Sequence, residues 1–145
     1  MSEFEGIVVE DGIDNNEAKE ALESQFGAAE KLLRFGENIM GFLEKVEERM
    51  TGMKNVTSAL KDIPVLVDMV KKWVKKEYTA FPWATVVTMV AALIYFLLPT
   101  DAIPDTVPVV GHIDDAAVIA LCLWGIRTDL DAYKEWLASQ TMQEA

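Results

Sequence analysis

The residues of this sequence that could do chemistry are concentrated in one segment, residues 95–121, which reads YFLLPTDAIPDTVPVVGHIDDAAVIAL. Four aspartates, three prolines and the only histidine of the chain lie there between two strongly apolar runs. Carboxylate oxygens are the ligands that Mg²⁺ and Ca²⁺ prefer in proteins. One interpretation is therefore a metal site, with His112 as a further donor and with four candidate ligands: Asp101, Asp105, Asp114 and Asp115.

The same aspartates have a second interpretation as capping residues. Asp114 or Asp115 directly precedes the apolar run AAVIALCLW, where a carboxylate can accept hydrogen bonds from the free N–H groups of a helix's first turn. Asp101 and Asp105 each stand three residues before a proline, a pattern typical of capped single turns. No twelve-residue calcium loop matches, and a single histidine does not favour zinc. We prefer the capping interpretation and expect no cofactor, with Mg²⁺ or Ca²⁺ as the alternative.

Catalysis is not indicated by the residue types around His112. No serine or cysteine nucleophile stands near it, and the only cysteine, Cys122, lies in an apolar run where thiols are usually inert. The chain also contains no glycine-rich phosphate-binding motif. We therefore expect a protein that is not an enzyme.

Composition and charge narrow the class of protein further. The single cysteine excludes an intrachain disulfide, and the N-terminus contains no secretory signal pattern, so we expect a protein of the reducing cytoplasm. The net charge of −11 disfavours nucleic-acid binding, because phosphate backbones are repelled. Residues 51–98 are nevertheless locally basic, with 6 basic and 3 acidic side chains. A protein partner or self-association is the expected mode of interaction.

The N-terminal part predicts helix around one packing stripe. Residues 1–17 read as an acidic flexible tail, and residues 18–62 as a helical segment dominated by one long helix. Its apolar residues recur in steps of three and four, which is typical of an intramolecular core, with a coiled coil or partner-binding face as the alternative. The stripe consists of Leu22, Phe26, Ala29, Leu33, Gly36, Met40 and Leu43.

Residues 65–78 predict an amphipathic helix with a basic face. Leu66 and Val70 lie on its apolar side, and the lysine stems opposite can simply border a buried stripe. The alternative is contact with an anionic membrane surface, at which a basic face with an aromatic edge is favourable. The candidate residues for that contact are Lys71, Lys72, Trp73, Lys75 and Lys76.

Residues 83–98 predict a helix that is apolar nearly all round. At about 1.5 Å per residue it would span roughly 24 Å, less than the roughly 30 Å of a bilayer's hydrocarbon layer. A buried central helix is therefore preferred, and a re-entrant hairpin in a membrane is the alternative. One further helix is predicted over residues 114–138, followed by a tail at 139–145. The predicted fold is an all-α small bundle whose domain, residues 64–138, contains an apolar hairpin joined by the Pro/Asp-rich loop.

The pattern around the hairpin resembles the YkvA-like family, a domain of unknown function. The resemblance covers about residues 82–136, and residues 1–60 lie outside it; Leu98 departs from it, since the family usually has serine there. The resemblance implies a bacterial helical domain that is often membrane-associated and that suits interaction or scaffolding better than catalysis. The expected location is the cytoplasm, with association at the inner face of the membrane. The matching residues are Tyr95, Pro99, Asp101, Ile103, Pro104, Asp105, Pro108, Gly111, Asp114 and Asp115.

Overall fold

The computed structural model of the chain describes residues 15–35, 38–53, 60–97 and 115–144. Within these ranges the chain is helical and contains no strand, so the predicted all-α class is confirmed. A short 3-10 turn, Leu60–Asp62, precedes the fourth helix. The α-helices are α1 (Asn15–Glu23), α2 (Phe26–Phe35), α3 (Ile39–Gly52), α4 (Ile63–Val74), α5 (Trp83–Leu97), α6 (Asp115–Gly125) and α7 (Arg127–Glu144).

The prediction of one long N-terminal helix is wrong, because α1, α2 and α3 share that segment. The hydroxyl of Ser24 donates to the carbonyl of Ala21 over 2.7 Å, a local bond that competes with helix continuation. Helix α3 is capped at its start by Asn38, whose side-chain oxygen accepts a hydrogen bond from the amide of Gly41 over 3.1 Å. Ser24 and Asn38, which lie between the apolar positions, therefore divide the predicted N-terminal helix.

The apolar stripe nevertheless continues across the break between α1 and α2. The turn at Ser24 and Gln25 keeps helix-like spacing, because the amide of Ala29 donates to the carbonyl of Gln25 over 2.9 Å. Leu22 and Ala29 are both fully buried, as is Leu43 farther along the stripe. The periodicity thus identified the buried face correctly while giving no sign of where the helices end.

Helix α4 is shifted from the predicted residues 65–78. It begins at Ile63 with Pro64 in its first turn, where the missing N–H of proline costs no hydrogen bond. It ends at Val74, because Lys76 adopts a left-handed backbone with φ of 63°. The amide of Glu77 then donates back to the carbonyl of Lys72 over 2.8 Å, which closes the helix end.

Helix α5 is the enclosed centre of the bundle, as predicted for residues 83–98. Every side chain over residues 89–97 is buried, and α5 packs against α1, α2, α3, α4 and α6. The absence of charge in this helix follows from its location, since an unpaired charge would be costly there. In the part of the chain that the structure describes, no helix combines the length and apolarity needed to cross a membrane.

Helices α6 and α7 replace the single helix predicted over residues 114–138. They meet at Ile126, whose amide donates to the carbonyl of Cys122 over 3.0 Å while its carbonyl accepts from Leu130 over 2.8 Å. The junction is therefore a bend with its hydrogen-bond ladder nearly intact. Helix α7 continues to Glu144, through most of the predicted tail.

The hairpin of α5 and α6 is antiparallel. The thiol of Cys122, near the end of α6, contacts the carbonyl of Thr88 over 3.8 Å. One helix farther along, the hydroxyl of Thr85 donates to a carboxylate oxygen of Asp129 in α7 over 2.6 Å. The start of α5, the end of α6 and the start of α7 therefore lie at the same end of the bundle.

Candidate functional site

Most of the aspartate motif lies outside the described residues. Helix α6 begins at Asp115, at the predicted helix start, but the side chain of Asp115 also lies outside them. Tyr95 is described and is buried within α5. The metal and capping interpretations both stay predictions for the residues that are not described: Pro99, Asp101, Ile103, Pro104, Asp105, Pro108, Gly111, His112 and Asp114. Among the described residues, no group of three metal-ligating side chains is assembled.

The structure gathers a different set of residues around the connection between α4 and α5. We call this set the aromatic end, and it includes all four tryptophans of the chain. Trp124 belongs to it because it lies two residues after Cys122, at the end of α6 that adjoins the start of α5. The aromatic end consists of Trp73, Tyr78, Phe81, Trp83, Trp124, Tyr133 and Trp136.

The inner part of the aromatic end is a packed cluster centred on Tyr78. Its ring centroid lies 4.7 Å from that of Phe81, 5.0 Å from that of Trp136 and 5.3 Å from that of Tyr133. Tilted and edge-on aromatic pairs at such distances stabilise packing beyond simple area burial. This cluster joins α7 to the segment that follows α4.

A polar link anchors the same cluster to α4. The hydroxyl of the fully buried Tyr133 donates to one carboxylate oxygen of Asp68, and Lys72 donates to the other over 3.2 Å. Burial of the phenol, followed by its hydrogen bond to Asp68, raises the pKa of Tyr133 well above its usual range. The phenol is therefore a neutral donor, and the link is a structural one.

The outer part of the aromatic end combines exposed tryptophan with arginine. Trp83 is 37% exposed and Trp124 is 44% exposed, whereas the other large apolar side chains that the structure describes are more sheltered. The guanidinium of Arg34 lies 5.1 Å from the ring centre of Trp83, and that of Arg127 lies 4.2 Å from the ring centre of Trp124. Such distances are within the range of cation–π contacts. Both exposed tryptophans thus carry a cation at the surface.

A cleft of about 380 Å³ opens beside the outer part. Trp73 forms part of its wall and also packs against Trp83, with ring centroids 6.0 Å apart. The exposed Lys76 lies at the cleft, and the exposed Lys75 precedes it in the chain. The cleft is lined by Leu33, Ile39, Trp73, Val74, Lys76 and Thr79.

The structure divides the five residues predicted for membrane contact into two groups. Lys71 pairs with Glu47 over 2.6 Å and Lys72 pairs with Asp68 over 3.2 Å, so both lysines are held against neighbouring carboxylates. Trp73 and Lys76 line the cleft at the aromatic end, and the exposed Lys75 precedes Lys76 in the chain. The amphipathic pattern of residues 65–78 indicated these three residues but did not separate them from the ion-paired lysines.

Four residues at this end of the bundle were not among those predicted for membrane contact: Arg34, Trp83, Trp124 and Arg127. The pair Trp124 and Arg127 carries a local signal, since residues three apart on a helical path are neighbours. The arginine also donates to the carbonyl of Trp124 over 2.7 Å. Arg34 and Trp83 carry no local signal, because only the packing of α2 on α5 brings them together.

Cys122 is not part of this surface. Its side chain is fully buried, and burial raises the pKa of the thiol from 9.0 to about 12. A thiol with so high a pKa is protonated at neutral pH and is a poor nucleophile. Its contact with the carbonyl of Thr88 indicates a packing role between α6 and α5.

Comparison with known proteins places the central hairpin in a recognised group. Residues 85–121 match the model of a family described as "Protein of unknown function (DUF1232)". The "Uncharacterized membrane protein YkvA" of Bacillus subtilis (strain 168) is 32% identical over 83 residues, which cover 57% of this chain and 78% of that protein. No solved structure matches the chain significantly.

Proposed function

We propose that this chain, which belongs to the DUF1232 family of proteins of unknown function, is a non-enzymatic helical module that docks on an anionic membrane surface through its aromatic end. One observation carries this proposal: both exposed tryptophans, Trp83 and Trp124, lie at the same end of the bundle and each carries an arginine on its ring. The proposed location is the cytoplasmic face of the membrane.

The chemistry of the aromatic end matches a membrane interface. Tryptophan rings are favoured at the level of the lipid headgroups, where one edge of the ring stays hydrated. Arginine and lysine near that level are attracted to anionic headgroups. The exposed Lys75 and Lys76 extend this positive surface beyond Arg34 and Arg127. A chain with a net charge of −11 needs such a local cluster, because its remaining surface is repelled by anionic lipid.

Docking at the surface is favoured over insertion of the hairpin. The apolar circumference of α5 motivated the re-entrant alternative, and α5 is covered instead by the helices α1 to α4 and α6. The Bacillus subtilis relative is named as a membrane protein, which supports a membrane role for this chain without specifying how it is attached.

A protein-interaction or scaffolding module is the second candidate. Tryptophan and arginine are also the residues most enriched at energetic centres of protein interfaces. The pairs Trp83 with Arg34 and Trp124 with Arg127 would suit such a centre. Docking on an anionic membrane requires negatively charged lipid, whereas binding to a protein partner does not. Comparing anionic with neutral vesicles therefore separates the two candidates.

The test is co-sedimentation of the purified full-length chain with vesicles. We expect binding to vesicles that contain phosphatidylglycerol, weaker binding at high salt, and little binding to vesicles of phosphatidylcholine alone. Arg34→Gln and Lys75→Gln should each weaken binding by roughly fivefold, corresponding to about 1 kcal/mol for each basic residue near the surface.

Lys61→Gln is the matched control for these variants. Lys61 is exposed and lies just before α4, at the helix end opposite to Lys75, so the variant removes the same charge away from the aromatic end. It should bind as the unchanged chain does. Equal binding to neutral and anionic vesicles, or equal losses in Lys61→Gln and Lys75→Gln, would reject membrane docking through this end and favour the protein-interaction candidate.

A further inference from the structure

We infer that the cleft beside Trp73 holds one acyl chain of an anionic lipid, with the ammonium group of Lys76 against the acidic headgroup. This inference rests on the proposed membrane docking and deepens it by assigning a lipid site within the docking surface. The cleft, the backbone at Lys76 and the surrounding charges each support it.

The cleft has the composition of a site for an amphiphile. Its volume of about 380 Å³ lies within the range of roughly 300 to 1,000 Å³ that ligand pockets occupy. Leu33, Ile39, Trp73 and Val74 provide apolar walls from α2, α3 and α4. Lys76 and Thr79 are the polar lining residues, and they share one connection. Apolar walls with a few polar groups at one side fit a molecule with a chain and a charged head.

Lys76 occupies a backbone position that ordinarily favours glycine. Its φ of 63° is the one positive φ at a non-glycine residue among the described parts of the chain. It follows Lys75 at the end of α4, in the left-handed position that closes a helix and that glycine fills without steric cost. A lysine kept in a strained position beside an apolar cleft indicates that its side chain is used there.

The charges around the cleft select an anionic head. Lys75 is exposed next to Lys76, and Arg34 lies on Trp83, which packs against the cleft wall at Trp73. Glu77 is the acidic neighbour in the connection, and it is also exposed. Of these four described residues, three are cationic and one is acidic. A neutral or cationic amphiphile could contact the same walls but would gain nothing from Lys76.

The test uses a monomeric probe, dodecanoate with bromine atoms on its chain, at concentrations below micelle formation. Bromine quenches tryptophan fluorescence on contact, so binding in the cleft should give saturable quenching in the full-length chain. Trp73→Phe should reduce the quenched fraction, because Trp73 forms the wall. The brominated dodecanol of the same length should bind more weakly, since it lacks the negative charge that Lys76 would contact.

Lys76→Gly is the decisive variant, because its effects on folding and on binding have opposite signs. Glycine suits the left-handed backbone, so the melting temperature should stay the same or rise. Dodecanoate affinity should fall by about tenfold, as expected for loss of a hydrogen bond to a charged group. Lys76→Arg should retain most of the affinity, and Lys61→Gln should retain all of it.

Each result separates this inference from the proposed function. Non-saturable quenching, equal affinity for dodecanoate and dodecanol, or unchanged affinity in Lys76→Gly would overturn the lipid site. If anionic vesicles still bind in that case, docking through the aromatic end stands without the cleft. Saturable dodecanoate binding by a chain that does not bind anionic vesicles would exclude the membrane as the source of the ligand and reject the proposed function with it.

Discussion

Helix α5 and the aromatic end both contain large apolar side chains, but α5 buries them whereas the aromatic end leaves two of them exposed. Over residues 89–97 of α5 every side chain is buried among other helices of the same chain. At the aromatic end, Trp83 and Trp124 stay exposed and each is covered on one face by an arginine. The most hydrophobic segment is therefore used for stability, and the surface left available for interaction lies where the helices end.

The first prediction tests this division with a matched pair of truncations. Leu93→Ala removes a fully buried side chain and should lower the free energy of unfolding by about 2 to 5 kcal/mol, from lost burial and the cavity left behind. Trp124→Ala removes a larger side chain that is 44% exposed, and should lower stability less, by about 1 kcal/mol, because only part of the ring is shielded from water. Urea denaturation measures both.

A reversed order of those two effects would break the comparison. If Trp124→Ala destabilised the chain as much as Leu93→Ala, Trp124 would have to be part of the core, and the aromatic end would lose its role as a free surface. Vesicle binding gives the complementary measurement, because Trp124→Ala should weaken it while leaving the fold intact.

The second prediction sharpens the comparison within the aromatic end itself. Tyr133→Phe removes the hydroxyl that donates to Asp68 and should lower the free energy of unfolding by about 1.5 to 3 kcal/mol, the typical net value of a hydrogen bond to a charged group. The ring and its aromatic contacts remain, so the loss isolates the polar link. Thermal and urea denaturation of this variant check the value.

Tyr78→Phe serves as its control. Tyr78 lies in the same cluster, and the substitution likewise deletes one phenol oxygen while keeping the ring. A smaller loss is expected, because Tyr133 is fully buried whereas Tyr78 is half-buried. Equal losses in the two variants would mean that the link to Asp68 has no special part in holding α7 on α4.

The third prediction concerns the buried thiol of Cys122. Its titration should lower the stability of the folded chain at alkaline pH and should not change it at neutral pH. Burial raises the pKa of Cys122 from 9.0 to about 12, so above pH 9 the unfolded chain releases a proton that the folded chain keeps. The contribution of the protonated thiol to the free energy of unfolding should be complete below pH 9 and should decline as pH rises from 9 toward 12. Denaturation in a pH series, with Cys122→Ala as the comparison, measures this decline.

Cys122→Ala should show a shallower alkaline decline than the unchanged chain. Tyr133 contributes in the same direction, because its raised pKa also favours the protonated folded state. An alkaline profile that is identical with and without the thiol would show that Cys122 is less enclosed than its packing on Thr88 indicates.

The sequence predicted the first helix of the hairpin well, because burial leaves a simple pattern. Residues 83–98 were expected to form a helix and α5 occupies Trp83–Leu97. The all-apolar character that predicted this helix results from its being surrounded on every side. The breaks near Ser24 and at Ile126 were not predicted, because each keeps hydrogen bonds of helical spacing and so leaves the apolar periodicity in place.

The candidate site was only partly predictable, because it is assembled from helix ends that are distant in sequence. Trp73, Lys75 and Lys76 were visible as one amphipathic segment. Arg34 and Trp83 come together only when α2 packs on α5, and no periodicity records that contact. The conformation of Lys76 was equally hidden, since a left-handed residue is usually signalled by glycine or asparagine.

The position of α5 in the order of the helices also matters while the chain is being made. Synthesis proceeds from the N-terminus, so α1 to α4, which pack on α5, leave the ribosome before it does. The segment most prone to aggregate is thus the one that emerges beside neighbours already able to cover it. Helices α6 and α7 follow later, and α6 packs on the remaining side of α5 once residues 98–114 have been added.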